Sequence, residues 1–189
     1  MTSKQLILQR IRAAKPGPRP LPELPTYPTS AVADRETFIS VLAGSKTTVL
    51  TAAEVDAYRA SLPGELTTVV STVPEYPSTL DVAKIKDPLE LAGVDLAIIS
   101  ASVGVAENGA MWVDESDLIV RALPFITQHL LIVLRGEIVP TMHEGYRKVS
   151  VDRTGFGVWI AGPSKTADIE QSLVIGAHGA RSLGVVISF

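Results

Sequence analysis

The closing stretch GFGVWIAGPSKTADIEQSLVIGAHGARSLGVVISF, residues 155–189, decides the fold class. Its run VWIA (158–161) reads as a buried strand, and the turn Gly162-Pro163-Ser164-Lys165-Thr166 follows. Residues 167–177 carry apolar side chains at helical spacing (Ile169, Leu173, Val174, Ala177), which predicts a helix. His178-Gly179 reads as the stop of that helix, and 185–188 as a second apolar strand. Strand, turn, helix and strand in succession are the repeating unit of a parallel sheet. The first turn of such a unit, dense here in hydroxyls and backbone donors, is where α/β proteins keep their ligands.

Working outward, the same alternation fills most of the chain. A helix is expected over 31–43, with Phe38, Ile39 and Leu42 on one face, then a strand over 47–51. A helix over 53–62 stops at Pro63-Gly64, and a strand over 67–71 follows. An irregular helix interrupted by Pro88 is expected over 81–91. Three strands follow in close succession (95–100, 103–106, 110–113), the last two joined by Glu107-Asn108-Gly109, a tight-turn signal. A buried strand over 130–134 and a helix over 142–149 lead into the closing unit. The expectation is an α/β domain over 30–189, with a mainly parallel sheet, mixed near its middle and flanked by helices. Ahead of it, residues 3–14 predict a short helix with Ile7 and Ile11 one turn apart. Six prolines between Pro16 and Pro28 then impose an extended, polyproline-type path. Residues 1–29 thus read as a helix on an arm, either a tether or a segment that lies across a neighbouring subunit or partner.

Bulk composition narrows the function classes. With 46% hydrophobic and 20% charged residues, the 189-residue chain is an ordinary globular protein. A net charge of −3 gives no basic field for nucleic acid. Cysteine is absent, which excludes disulfides, thiolate zinc sites, cysteine-ligated iron–sulfur clusters and a cysteine nucleophile in this chain. No stretch approaches the roughly 18 apolar residues of a membrane span. The opening MTSKQLILQRIRAAK lacks the apolar core of a signal peptide, so the cytoplasm is the expected location.

Two places carry candidate chemistry. In Ala106-Glu107-Asn108-Gly109-Ala110 a carboxylate sits at a strand end beside an Asn-Gly turn that bends the backbone sharply. Glu107 is therefore a candidate base, nucleophile or ligand anchor, set against a plain hairpin turn with an exposed Glu. In the Gly162 turn, backbone amides with Ser164, Lys165 and Thr166 would cradle a carboxylate or other anion. The competing reading is a well-capped helix, with Ser164 or Thr166 as cap and Asp168 and Glu170 in the first turn. The spacing is not that of a phosphate-binding GxxxxGK[ST] loop, and no dinucleotide fingerprint is present. Asp114, Glu115 and Asp117 read as an acidic helix start or a divalent-cation cluster. His143-Glu144 has Arg147 where a metalloprotease motif needs a second His, so no metal site is assigned. His129 reads as a structural or surface residue.

Taken together, VGVAENGAMWV (103–113), LPFITQHLLIVL (123–134) and GPSKTADIEQSLVIGAHGARSLGVVI (162–187) resemble the LUD-domain family, the lactate utilization protein C (LutC) group. The opening SKQLILQRIRAA resembles that family's usual start. The resemblance implies a fold similar to the ribose-5-phosphate isomerase, glucosamine-phosphate isomerase and CoA-transferase group (NagB/RpiA/CoA-transferase-like). It implies a component of L-lactate oxidation to pyruvate, without a redox centre of its own, acting with iron–sulfur partner subunits and binding the hydroxy or keto acid. Carried over by motif, Glu107 is the candidate catalytic residue, and Asn108, Gly109, Gly162, Ser164, Lys165, Thr166, Asp168 and Glu170 are candidate substrate contacts. Asn108 and Ala110 depart from the family's usual residues, which are Thr and a hydroxyl residue. Glu-Asn-Gly is also similar to the turn of CoA-transferases. A stand-alone enzyme of that fold group using Glu107, and a structural or regulatory interaction module using the proline arm, are therefore the alternatives.

Overall fold

Successive side chains of a strand point to opposite faces, so a long unbroken apolar run can serve two cores at once. The run Leu96–Val105 does this. A computed structural model describes residues 2–20, 22–23, 34–150, 155–166 and 173–189. In it the run is a single strand, β3 (Leu96–Val105), not the two expected. Parallel to it lie β2 (Val69–Ser71) and β5 (His129–Val139); next to β5 come β9 (Ser182–Ile187) and then β1 (Thr47–Leu50). β4 (Met111–Asp114) is antiparallel to both β3 and β6 (Gly157–Ile160), which makes the seven-stranded sheet mixed.

The sheet changes partners half-way along β3. Leu96–Ile98 pair with β2, whereas Val103 and Gly104 pair with β4 on the same edge. Between these halves the β3–β5 register shifts: Ala101 faces Leu134, but Val103 faces Glu137. The extra residue belongs to β5, a bulge that bends the strand and increases its twist. Gly136 sits there, and a Cβ at this position would lie 1.7 Å from the Ser102 carbonyl oxygen.

Each face has its own core. On one, Phe38 and Leu42 from α2 (Arg35–Gly44), with Leu91, Leu118 and Leu123, the last from α5 (Leu123–Ile126), cover Ala97, Ile99, Ile132, Leu134 and Val185. On the other, Val55 and Tyr58 from α3 (Val55–Ser61) cover Leu96, Ile98, Leu131 and Val133. Beyond the bulge, Trp112 and Trp159 pack with ring centroids 5.1 Å apart beneath α6 (Met142–Lys148), whose Tyr146 meets Trp159 edge-on. Burying a large apolar side chain stabilises by roughly 1.5–3 kcal/mol, so these clusters hold the layers together. α1 (Ser3–Ala14) lies ahead of this body with none of its residues buried.

Two expected helices are replaced. Residues 81–91 form two short 3-10 turns, Val82–Lys84 and Pro88–Leu91, each opened by an Asp cap, because Pro88 cannot continue a helix begun before it. In the helix expected over 167–177, residues 167–172 lie outside the described residues. The remainder is not helical: β8 (Val174–Ile175) pairs antiparallel with β7 (Lys165–Thr166). Gly176 has φ +76°, which a helix interior does not allow, and Leu173 and Val174 are exposed rather than facing the core. His178-Gly179 is therefore not a helix stop, and Gly179 closes instead on the Ser164 side chain.

Candidate functional site

The Glu107 turn closes the β3–β4 hairpin. Asn108 Oδ1 accepts the Ala110 amide at 3.0 Å, the local bond that Asn offers a turn. Gly109 takes φ +72°, and its amide donates to the Val105 carbonyl at 2.9 Å. A Cβ on Gly109 would lie 3.2 Å from Leu42 and 3.4 Å from Val41, so this turn rests directly on α2. Glu107 is exposed, and its Oε2 accepts the Met142 amide at 2.9 Å. That carboxylate thus meets a free amide in the first turn of α6, where negative charge is favoured.

The second turn leaves β6 through Gly162, at φ +83°. A Cβ there would lie 3.1 Å from both the Ser45 carbonyl oxygen and Lys165 Nζ, and 3.2 Å from Ser45 Oγ. Ser45 caps α2; its hydroxyl donates to the Leu42 carbonyl at 2.7 Å and lies 2.9 Å from Thr47 Oγ1. Pro163 is buried. The Ser164 amide donates to the Ala180 carbonyl, and the Ser164 carbonyl accepts from the Gly176 amide, both at 2.9 Å.

The two turns therefore meet one helix, one on Val41 and Leu42 and the other on Ser45, a single helical turn further on. The structure brings together Gly109, Gly162 and Lys165 around the end of α2. It directs Glu107 toward α6, ties Asn108 into its own turn, and gives Ser164 and Thr166 to the β7–β8 hairpin. Asp168 and Glu170 lie outside the described residues.

Ser45 and Thr47 were not signalled by any motif. The one local sign is Gly44-Ser45-Lys46 after an apolar stripe; Lys46, at φ +66°, takes the left-handed position where helices usually place Gly. Two arginines were missed for a like reason. Arg35 and Arg135, far apart in sequence, line a cleft of about 460 Å³ with Glu137 and Phe189 near the start of α2. Both guanidinium groups are engaged, Arg35 with the Phe189 carbonyl at 3.4 Å and Arg135 with the Glu75 carboxylate.

The other singled-out residues have partners. Asp114 caps the short helix α4 (Glu115–Leu118) by accepting the Ser116 amide, Glu115 pairs with Arg121, and Asp117 accepts the Ser100 hydroxyl. Among the described residues, no three acidic, His or Cys side chains are grouped to hold a metal ion. Nor is any helix among them long and apolar enough to cross a membrane.

His129 is buried at the amino-terminal end of the sheet, with Nδ1 2.8 Å from Ser182 Oγ, which lies 3.2 Å from the Tyr58 hydroxyl. Burial, followed by the nearby Arg181, lowers its pKa below 6.5, opposed by Asp95. The unfolded chain, with His129 at its ordinary value, therefore binds a proton that the folded chain resists. Stability is full above about pH 6.5 and is lost as pH falls below it toward the lower folded value. Asp95 shifts down chiefly through the Thr68 amide, so its contribution is lost only further down, below its ordinary 3.8. Urea midpoints measured from pH 7.5 to 4.5 should decline from about pH 6.5 downward. A His129→Gln chain should be flat until the carboxylates titrate. Equal slopes in the two chains would rule His129 out.

The LUD domain family matches residues 47–188 of the chain. Lactate utilization protein C of Deinococcus radiodurans is 31% identical, over 98% of this chain and 95% of that protein. Proteins of the same name from Exiguobacterium sp. and Geobacillus thermodenitrificans are 28% and 29% identical, over 47% and 53% of this chain and 45% and 44% of theirs. A crystal structure of a DUF162 family protein from Deinococcus radiodurans superposes with a TM-score of 0.58. At 21% identity it covers 80% of this chain and 94% of that one, a likeness of fold.

Proposed function

This chain belongs to the LUD domain family, and from that premise we propose that it is a component of L-lactate utilization, the oxidation of lactate to pyruvate. The observation that carries the reading is the similarity to a lactate utilization protein C along nearly the full length of both chains. In this reading the chain holds no redox centre. It has no cysteine to ligate an iron–sulfur cluster, so electrons from lactate pass to clusters on partner proteins. Its own task is to bind the hydroxy or keto acid and present it.

The acid's carboxylate is assigned to the Gly162 turn. Lys165 supplies the cation there, and the absence of a side chain on Gly162 lets Lys165 Nζ and the Ser45 cap of α2 approach the turn closely. A hydrogen bond to a charged group contributes about 1.5–3 kcal/mol, enough to orient a small acid. Glu107 is a positioning residue in this account, holding the start of α6 beside the Gly109 turn.

The test is growth on L-lactate as sole carbon source. A strain lacking the gene should fail to grow, and the intact chain should restore growth. Lys165→Met should restore it poorly, and binding of pyruvate to the purified variant should weaken by about tenfold or more. Unimpaired growth of the deletion strain would refute the pathway. Restored growth with unweakened binding in Lys165→Met would refute the placement of the acid and leave the pathway intact.

A further inference from the structure

We propose that α1 is a docking arm whose occupied surface is the acidic body of a second copy of this chain. The helix is well started: Thr2 Oγ1 accepts the Gln5 amide at 3.3 Å, and Gln5 Oε1 accepts the Thr2 amide at 2.8 Å. Yet none of its residues is buried, and Ile7, Ile11, Leu6 and Leu8 are 57%, 54%, 42% and 40% exposed. Ile7, Leu8, Ile11 and Ala14 share one face at the i, i+1, i+4, i+7 spacing of a helix that packs on something. An isolated helix of this length is marginal in water, and its apolar face is stabilising only when covered.

Charge identifies what covers it. Residues 1–22 hold five of the seventeen basic side chains (Lys4, Arg10, Arg12, Lys15 and Arg19) and none of the twenty acidic ones. The remaining residues hold twelve basic and twenty acidic side chains, a net charge of −8. A cationic amphipathic helix and an anionic body on the same chain are complementary surfaces. None of the residues of α1 is buried against its own body, and six prolines between Pro16 and Pro28 favour an extended connection. Lys15, at φ −61° and ψ 129°, begins that extended path where α1 ends. At the polyproline rise of about 3.1 Å per residue, the proline stretch has a reach of about 40 Å. A body of this size has a radius of gyration of only about 15 Å, so the reach suffices to cross to a neighbour. A two-fold pair exchanging arms would bury both apolar faces and satisfy both charge patterns. The stretch matched by the LUD domain family starts at Thr47, so α1 and the proline stretch lie ahead of the matched domain.

The test is the mass of the full chain by sedimentation velocity, over a hundredfold range of concentration at low and high salt. The expected result is a concentration-dependent dimer whose dissociation constant rises about tenfold or more at high salt. The double variant Ile7→Asp/Ile11→Asp and the triple variant Lys4→Glu/Arg10→Glu/Arg12→Glu should both be monomeric, with unfolding midpoints like that of the unaltered chain. A monomer at every concentration would overturn the proposal, as would a dimer that both variants leave intact. Flotation with phosphatidylserine vesicles by a chain that never self-associates would overturn it too, and would assign the helix to anionic lipid.

Discussion

Gly136→Ala is expected to lower the thermal unfolding midpoint by about 10 °C, the largest shift of any single methyl group in the sheet. A Cβ at 1.7 Å from the Ser102 carbonyl oxygen cannot be accommodated by a rotamer change, because alanine has none and the obstacle is backbone. Either β3 moves away from β5 or the bulge is re-registered, and both disturb the ladder from Ala101/Leu134 to Val105/Val139. Overpacking typically costs about 1–3 kcal/mol and more where the neighbour is rigid. At this chain length each kcal/mol shifts the midpoint by roughly 2–4 °C. Differential scanning calorimetry decides the matter. A shift below about 2 °C would mean that the bulge yields freely and that the two halves of the sheet are not rigidly joined.

Phe38→Ala should cost about 3–5 kcal/mol, the usual range for emptying a fully buried aromatic position. Phe38 seats α2 on the bent part of the sheet. Its ring tip lies 3.0 Å from where a Cβ on Gly104 would be, and Leu134 lies 2.9 Å from the same point. The loss should be coupled to that glycine. Gly104→Ala alone should destabilise by crowding the ring, whereas in the Phe38→Ala background the added methyl enters the vacated space and costs less. Additive effects in urea unfolding would show that the two residues do not meet. Because α2 also receives the Gly109 and Gly162 turns, Phe38→Ala should weaken pyruvate binding even under conditions where the variant remains folded.

What the sequence made legible, and what it hid, follows from the same physics. β5 and β9 are readable because strands buried on both faces are continuous apolar runs, whereas β3 reads as two strands because Ser100-Ala101-Ser102 interrupts its run. The expectation for β5 ended at Leu134, five residues short, because beyond the bulge Arg135 and Glu137 face solvent and break the run. The helix expected over 167–177 rested on a 3.6-residue stripe. Two of its members, Leu173 and Val174, instead lie exposed beside the β7–β8 pair. At the candidate site both turns were visible in their glycines and hydroxyls. What gathers them was not: Val41 and Ser45 of α2 belong to no motif, and only the path of the chain puts them against Gly109 and Gly162.

The pairing of β1 with β9 has a consequence for how the molecule is made. Thr47 is registered with Leu183, and Leu50 with Val186, so the first strand of the sheet has no partner until the last strand exists. During synthesis, β2, β3 and β5 can associate while β1 waits as an unpaired edge for well over a hundred residues. Non-local pairings of this kind slow folding and prolong the exposure of sticky edges. β9, which sits between β5 and β1, is also the last strand of the sheet to be synthesised. A chain truncated before Ser182 would lose two strands from the sheet rather than one.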